Sequence, residues 1–165
     1  MADHLSRLKL GKTHLNAQLH HSNLTDSPYC LLCKADTGLE IQEDYKHALH
    51  TCPNTQKIIT AITDSLFPNT SQTNNFNISD ILLTNETYKD RLYNSQEGRD
   101  FINLVWDIFQ TEIITNHTAQ KRPTPVKVIK KIVSEVKDII KNLPNSKMTK
   151  FLKTCPPVTT LLQLR

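Results

Sequence analysis

Three cysteines and a histidine are the residues of this 165-residue chain best suited to chemistry. Cys30, Cys33, His47 and Cys52 follow the pattern C-x2-C-x13-H-x4-C. Two cysteines separated by two residues can chelate one ion, and a later His/Cys pair completes the four protein ligands of a structural zinc site. Thiolate-rich ligand sets favour zinc over the hard cations, which prefer oxygen. The pattern therefore predicts one structural Zn2+ with no coordination position left open for chemistry.

Two histidines lie just before Cys52, and the spacing favours His47 over His50 as the ligand. Four residues separate His47 from Cys52, which is room for one turn, whereas a single residue separates His50 from Cys52. Proline suits the first position of a helix, so Pro53 predicts that Cys52 lies at a helix N-terminus, where exposed amides favour a thiolate. The acidic residues of the intervening loop are expected to be solvated rather than to compete as ligands, and these are Asp36, Glu40, Glu43 and Asp44.

The residues on either side of the cysteines extend the pattern. From Arg7 the chain reads RLKLGKTHLNAQLHHSNLTDSPYCLLC and, after an insert, HALHTCP. This run resembles the zinc-binding CCHC segment downstream of the reverse transcriptase, often after an RNase H domain, in non-LTR retrotransposon polyproteins. The insert is longer than in that family, and Lys34 stands where the family has glycine. The matching positions are Arg7, Gly11, Thr13, Leu15, Asn16, Leu19, His20, Ser27, Pro28, Cys30, Cys33, His47, Cys52 and Pro53.

The resemblance implies an accessory nucleic-acid-binding or scaffold role beside a polymerase, in a domesticated or free-standing derivative. The reverse transcriptase and RNase H signatures themselves are not in this sequence. Neither a phosphate-binding glycine loop, nor a nucleophile elbow, nor a His-Glu-x-x-His zinc helix occurs, so we expect no enzymatic activity. Cys155, alone before two prolines, is expected to be a bystander.

Composition predicts a mainly α fold with little or no β structure. Hydrophobic residues make up 38% of the chain and aromatic residues 6%, which allows a small core, and only three glycines occur. A metal ion is a common way to stabilise so small a core. No apolar run approaches the length of a membrane span, and the N-terminus lacks the apolar core of a signal peptide. We therefore expect an intracellular protein of the nucleus or cytoplasm, not a secreted one, whose clustered thiols bind metal.

The periodicity divides the chain into a zinc-stapled helical module and a helical hairpin or bundle. The predicted domains are a CCHC module at 1–67, a polar linker at 68–77, a helical domain at 78–118, and a basic amphipathic helix with its tail at 119–165. Within them we expect a helix kinked near Gly11, a helix at 53–67, two short helices between 78 and 93, and a long helix that Asn94 caps. The tail after Pro144 shows little pattern.

The basic amphipathic helix combines an apolar stripe with lysines. Thr124 is the expected cap and Pro125 the first turn. The stripe consists of Val126, Ile129, Ile132, Val133, Val136, Ile139 and Ile140. We expect 126–140 to pack on 98–114 as an antiparallel hairpin, although both could instead bind a second copy of the chain or another protein.

The charge of the chain is divided by position. Residues 1–120 have 9 Lys and Arg against 14 Asp and Glu, which gives −5, whereas residues 121–165 have 11 against 2, which gives +9. Such asymmetry indicates nucleic acid or an acidic partner. The sequence therefore leaves two functions open, a module that binds RNA or DNA through phosphates and a scaffold or self-associating protein with a purely structural zinc. For the first, the predicted contact residues are Arg7, Lys9, Lys12, Lys127, Lys130, Lys131 and Lys141.

Overall fold

The computed structural model describes residues 15–66 and 94–163. Within these ranges three quarters of the residues are helical and none forms a named strand, which confirms the mainly α fold. The elements are α1 (Asn16–His21), α2 (Leu31–Thr37), a π-helical turn (His47–Thr51), α3 (Pro53–Leu66), α4 (Gln96–Thr118), α5 (Pro125–Asn142), α6 (Lys147–Thr154) and α7 (Pro156–Gln163). Among these helices, none is both long and apolar enough to cross a membrane.

The chain divides into two compact units. The first unit is Met1–Ile58 with Phe109–Thr124, and the second is Ile59–Ile108 with Pro125–Arg165. Helices α3 and α4 each contribute residues to both units. The predicted 68–77 linker, the kinked helix near Gly11 and the short helices between 78 and 93 lie outside the described residues, so they stay predictions.

In the first unit, short helices alternate with loops, and backbone hydrogen bonds join the loop before α2 to the loop after it. An isolated antiparallel bridge joins Tyr29 to Gln42, and the backbone N–H of Cys30 donates to the carbonyl of Ile41 at 2.8 Å. Helix α2 ends at Gly38, whose φ of 72° lies in the left-handed region that favours glycine. The chain therefore leaves α2 in a sharp turn and returns beside residue 30.

In the second unit, the buried apolar side chains come from α5, α6 and α7 and from the parts of α3 and α4 that belong to this unit. Helix α6 packs on both α5 and α7, and the rings of Phe101 and Phe151 lie 6.5 Å apart. The tail after Pro144, where the sequence shows little pattern, contains two helices. Helix α6 begins at Lys147, and the side chain of its N-cap, Ser146, accepts a hydrogen bond from the backbone N–H of Thr149. Helix α7 follows Cys155 directly, with prolines in its first turn, where they fit.

The buried stripe of α5 is also shifted from the one predicted. Val128 is 1% exposed although the predicted stripe omits it, whereas Val126 is 61% exposed although the stripe includes it. Ile132 and Val136 are buried as predicted. The apolar residues of α5 span a wide arc, and α6, which the sequence did not predict, contacts this helix.

The cap of α4 is one residue later than predicted. The helix begins at Gln96, and the side chain of Ser95 accepts a hydrogen bond from the backbone N–H of Gly98 at 3.0 Å. Ser95 rather than Asn94 is therefore the N-cap, because a capping side chain accepts from the third helical residue. The predicted core positions Phe101, Val105 and Phe109 are fully buried.

Candidate metal centre

The four predicted ligands come from two stretches of the first unit, the start of α2 and the π-helical turn. Cys30 is the N-cap of α2 and Cys33 lies in its first turn. His47 begins the π-helical turn, and Cys52 ends it directly before Pro53 of α3. Their four ligand atoms lie within 4.8 Å of one another, close enough to bind one metal ion. Cys52 has an extended backbone and precedes the first residue of α3, as the sequence predicted.

The measured separations agree with a tetrahedral zinc site. Zn–S bonds of about 2.3 Å and Zn–N bonds of about 2.0–2.1 Å at tetrahedral angles require about 3.8 Å between two sulfurs and about 3.6 Å between sulfur and nitrogen. The Sγ atoms of Cys33 and Cys52 are 3.7 Å apart, and Cys33 Sγ is 3.4 Å from His47 Nε2. Cys33, His47 and Cys52 are therefore spaced as a tetrahedral ion requires, and Cys30 lies within 4.8 Å of them.

Hydrogen bonds orient the histidine for this role. Nδ1 of His47 lies 3.2 Å from the hydroxyl of Thr51, which leaves Nε2 directed at the sulfurs. The backbone N–H of His47 donates to Asp44 Oδ1 at 2.7 Å and so secures the start of the turn. A second partner that fixes the ring of a ligating histidine is usual at zinc sites. His50, the alternative ligand, is outside the group of four.

The three sulfurs perturb one another's pKa values. The pKa of Cys52 is far below the ordinary value of a thiol, first because the neighbouring Cys30 thiol stabilises its thiolate; burial opposes this effect, and the rings of His117 and His47 lower the pKa further. The proximity of Cys52 raises the pKa of Cys30, and burial raises the pKa of Cys33 to about 11. Negative charge is therefore best stabilised on Cys52, at the N-terminus of α3.

Glu43 and His117 form a buried pair beside the ligands. Glu43 is 2% exposed, so the expectation of a solvated side chain was wrong for it. Its Oε1 lies 2.7 Å from Nδ1 of His117, and its Oε2 accepts the backbone N–H of Asn16 at 3.0 Å. Burial lowers the pKa of His117, but Cys52 and Glu43 together raise it to about 9. Cys30, Glu43 and His117 form a second group with ligand atoms within 4.8 Å of one another.

The sequence signal for this pair was weak because 74 positions separate its members. The predicted apolar face of the long helix ends at Ile113, whereas His117 lies one turn further along the same face. A buried Gln110, which donates to the hydroxyl of Tyr45 at 3.1 Å, lies on the same helix. Through their hydrogen bonds, Gln110 and His117 therefore connect the segment Phe109–Thr124 to the residues around the metal ligands.

Other loop carboxylates have partners of their own. Asp36 accepts from Asn54 at 3.0 Å and pairs with Arg122, and Glu40 pairs with Lys34 at 2.7 Å. The Lys34 side chain is therefore exposed and does not enter the ligand cluster. Cys155 is buried in the second unit and belongs to neither group of ligands.

The predicted nucleic-acid contacts are only partly within the described residues. Arg7, Lys9 and Lys12 lie outside them. The lysines of α5 are all exposed, and at 100° per residue they fall within an arc of about 120° on one side of the helix. They are Lys127, Lys130, Lys131, Lys137 and Lys141.

Comparisons with known proteins add no relative. No family model, no curated protein and no solved structure matches this chain.

Proposed function

We propose that this protein is a non-catalytic zinc-binding module that binds nucleic acid mainly through phosphate contacts. The observation that carries the zinc assignment is the four-ligand cluster, whose two measured separations fit a tetrahedral ion. Zinc, when bound, would cross-link α2, the π-helical turn and the start of α3. Three thiolates and one imidazole are typical of structural sites.

Burial of the ligands supports a structural rather than catalytic metal. Cys30 and Cys52 are 0% exposed, Cys33 is 1% exposed and His47 is 4% exposed. A catalytic zinc has a coordination position open to water or substrate, whereas four protein ligands complete the tetrahedron. Burial also argues against catalysis by a Cys52 thiolate with the His117–Glu43 pair, because no substrate reaches a fully buried sulfur.

The lysine face of α5 supports nucleic-acid binding. Its side chains are exposed along one side of an 18-residue helix, while the opposite side is buried by the core. Glu135 and Asp138 are the only acidic residues of that helix. A positively charged helix face can follow a phosphate backbone, and such contacts provide affinity without sequence specificity.

Salt-titrated binding tests this assignment. Fluorescence anisotropy with single- and double-stranded RNA and DNA should give affinities that fall steeply with salt and differ little between sequences. Changing Lys127, Lys130, Lys131 and Lys141 together to Gln should reduce the salt slope by roughly three to four on duplex DNA, since each phosphate contact contributes about 0.9. The wild type failing to bind any of the four at low salt would contradict the proposal.

A control with the same loss of charge isolates the helix face. Lys121, Lys147, Lys150 and Lys153 are also exposed, so changing them to Gln removes four positive charges outside α5. The control should retain more affinity and more of the salt slope than the α5 variant. Equal losses in the two variants would mean that net charge, not this helix, determines binding.

Self-association is a second candidate function. The observation that favours it is Val126, which is 61% exposed and lines a groove of about 520 Å³. Ile129 and Val133 also line this groove, together with Ser65, Lys130, Ser134 and Lys137. Exposed apolar patches often mark interfaces. Light scattering decides between the candidates, because a dimer that Val126→Asp converts to a monomer would support self-association, and a monomeric wild type would exclude it.

We further propose that the module is related to the CCHC segment of non-LTR retrotransposon polyproteins and works inside the cell. Supporting the relation, several matching residues have structural roles outside the ligand set. Asn16 donates to the carbonyl of Tyr29 at 2.8 Å, and Leu15 is 0% exposed. The buried thiols, none of them in a disulfide, suit a reducing compartment.

A further inference from the structure

One ring nitrogen of His117 is left without a hydrogen-bond partner in the described part of the chain, although the side chain is buried. The residue is 2% exposed. Its Nδ1 pairs with Glu43, but its Nε2 has no hydrogen-bond partner among the described residues. A buried polar atom without a partner is costly, so the position of this nitrogen calls for an acceptor or an ion.

The groups close to the His117 ring include the sulfurs that we propose bind the metal. Cys30 Sγ lies within 4.8 Å of a His117 ring nitrogen and of a Glu43 oxygen. Glu43 is itself held in place, because its other oxygen accepts the backbone N–H of Asn16 at 3.0 Å and its carbonyl accepts that of Ala17 at 3.2 Å. The carboxylate therefore fixes the orientation of the imidazole, and the imidazole faces sulfur.

We propose that His117, oriented by Glu43, donates a hydrogen bond from Nε2 to a metal-bound sulfur of Cys30 or Cys52 and so attaches the segment Phe109–Thr124 to the metal centre. The proposal rests on the zinc binding proposed above. His117 is a positioning residue and not a ligand, because Cys30, Cys33, His47 and Cys52 already supply the four protein ligands of a structural zinc site. Hydrogen bonds of this kind adjust the affinity of a site for its metal.

The consequence is that one ion organises two distant parts of the sequence. The ligands span residues 30–52, whereas His117 lies near the C-terminal end of α4. Metal binding would thus stabilise the last turns of α4 as well as the ligand-bearing residues 30–52. A CCHC module complete within residues 1–67 would not require this contact.

Metal affinity of a matched pair of variants tests the proposal. His117→Phe keeps a ring but removes both nitrogens, and it should weaken zinc binding roughly 10–100-fold in competition with a chelator. In the Co2+-substituted variant, the sulfur-to-cobalt charge-transfer bands should shift while the d–d bands stay tetrahedral. Tyr45→Phe is the control, since it removes a hydrogen bond to Gln110 that joins the same two segments without touching a cysteine. It should leave both the affinity and the cobalt spectrum unchanged.

The outcomes separate this proposal from the zinc assignment. A wild type that binds no metal would overturn both. A wild type that binds zinc, together with a His117→Phe variant of equal affinity and identical cobalt spectrum, would overturn only the role of His117. Equal weakening in Tyr45→Phe would also overturn it, because the effect would then come from docking the helix alone.

A measurement on the wild type decides the matter even if His117→Phe does not fold. In the 113Cd-substituted protein with 15N-labelled histidine, cadmium should couple to Nε2 of His47, and His117 should show a slowly exchanging Nε2 proton. Direct cadmium coupling to a His117 nitrogen would overturn the proposal by making that residue a ligand. The absence of a protected Nε2 proton would overturn it as well.

Discussion

The two units differ in how their interiors are built. Ten buried residues among those described are polar or charged, and eight of them belong to the first unit. Among the described residues of the second unit, only Thr63 and Thr149 are buried and polar, and the other buried side chains are apolar. The eight are Glu43, His47, Asn54, Thr55, Gln110, Glu112, Asn116 and His117.

This difference has a physical consequence for stability. Apolar burial is non-directional and roughly proportional to area, so the stability of the second unit is distributed over many apolar side chains. Buried polar groups stabilise a fold only when their partners are present. In the first unit, several of the buried polar groups have their partners in the cluster of four metal ligands or in the Glu43–His117 pair. A few substitutions should therefore have large effects there.

The largest expected effect is loss of the metal from the first unit. Chelation or Cys30→Ser should unfold this unit, because structural zinc binding contributes folding free energy on the order of 10 kcal/mol. Helices α5 to α7 should remain, which circular dichroism and amide NMR spectra would show. Cys155→Ser is the control, because Cys155 is equally buried but outside the cluster, and it should retain one zinc per chain. If the first unit stayed folded after chelation, the two units would not differ in their dependence on a metal ion, contrary to this account.

An intermediate effect is expected from the apolar core of the second unit. Ile132 is 1% exposed on α5, and Ile132→Ala should lower the free energy of unfolding by about 2–5 kcal/mol in a denaturant titration. Zinc stoichiometry should not change. Val126→Ala on the same helix should cost less than about 0.5 kcal/mol, since Val126 is 61% exposed. Similar costs at both positions would mean that Val126 is buried in an interface.

The smallest expected effect concerns the cap of α4. Ser95→Ala should lower the free energy of unfolding by about 1 kcal/mol, because the backbone N–H of Gly98 loses its acceptor. Thermal melting monitored by circular dichroism measures the change. Asn94→Ala should lower the free energy of unfolding by less than Ser95→Ala does. A larger cost for Asn94→Ala would instead identify Asn94 as the cap.

Features encoded within a short stretch of sequence could be predicted, whereas pairings across the chain could not. The ligand cluster depends on spacings of a few residues and on Pro53 after Cys52, so pattern alone indicated which side chains come together. The Glu43–His117 pair joins residues 74 positions apart, and nothing in either local pattern indicates its partner. Glu43 looked like a solvated loop carboxylate for that reason.

The second unit shows the same limit. The long apolar period of α5 predicted a helix, and the observed helix begins at Pro125 as expected. Periodicity does not tell which neighbour covers a wide apolar arc, so Val128 was missed and Val126 was wrongly included. Helices α6 and α7 are only eight residues each, too short to show a period, and their signals were the Ser146 cap and the prolines after Cys155.

Zinc content by native mass spectrometry, measured on the wild type, His47→Ala and His50→Ala, tests the metal centre most directly. The wild type and His50→Ala should each have one zinc per chain, and His47→Ala should lose most of it, because Nε2 of His47 faces Cys33 at 3.4 Å while His50 is outside the cluster. A wild type without zinc would contradict the proposed metal centre. Full zinc content in His47→Ala with loss in His50→Ala would contradict the assigned ligand.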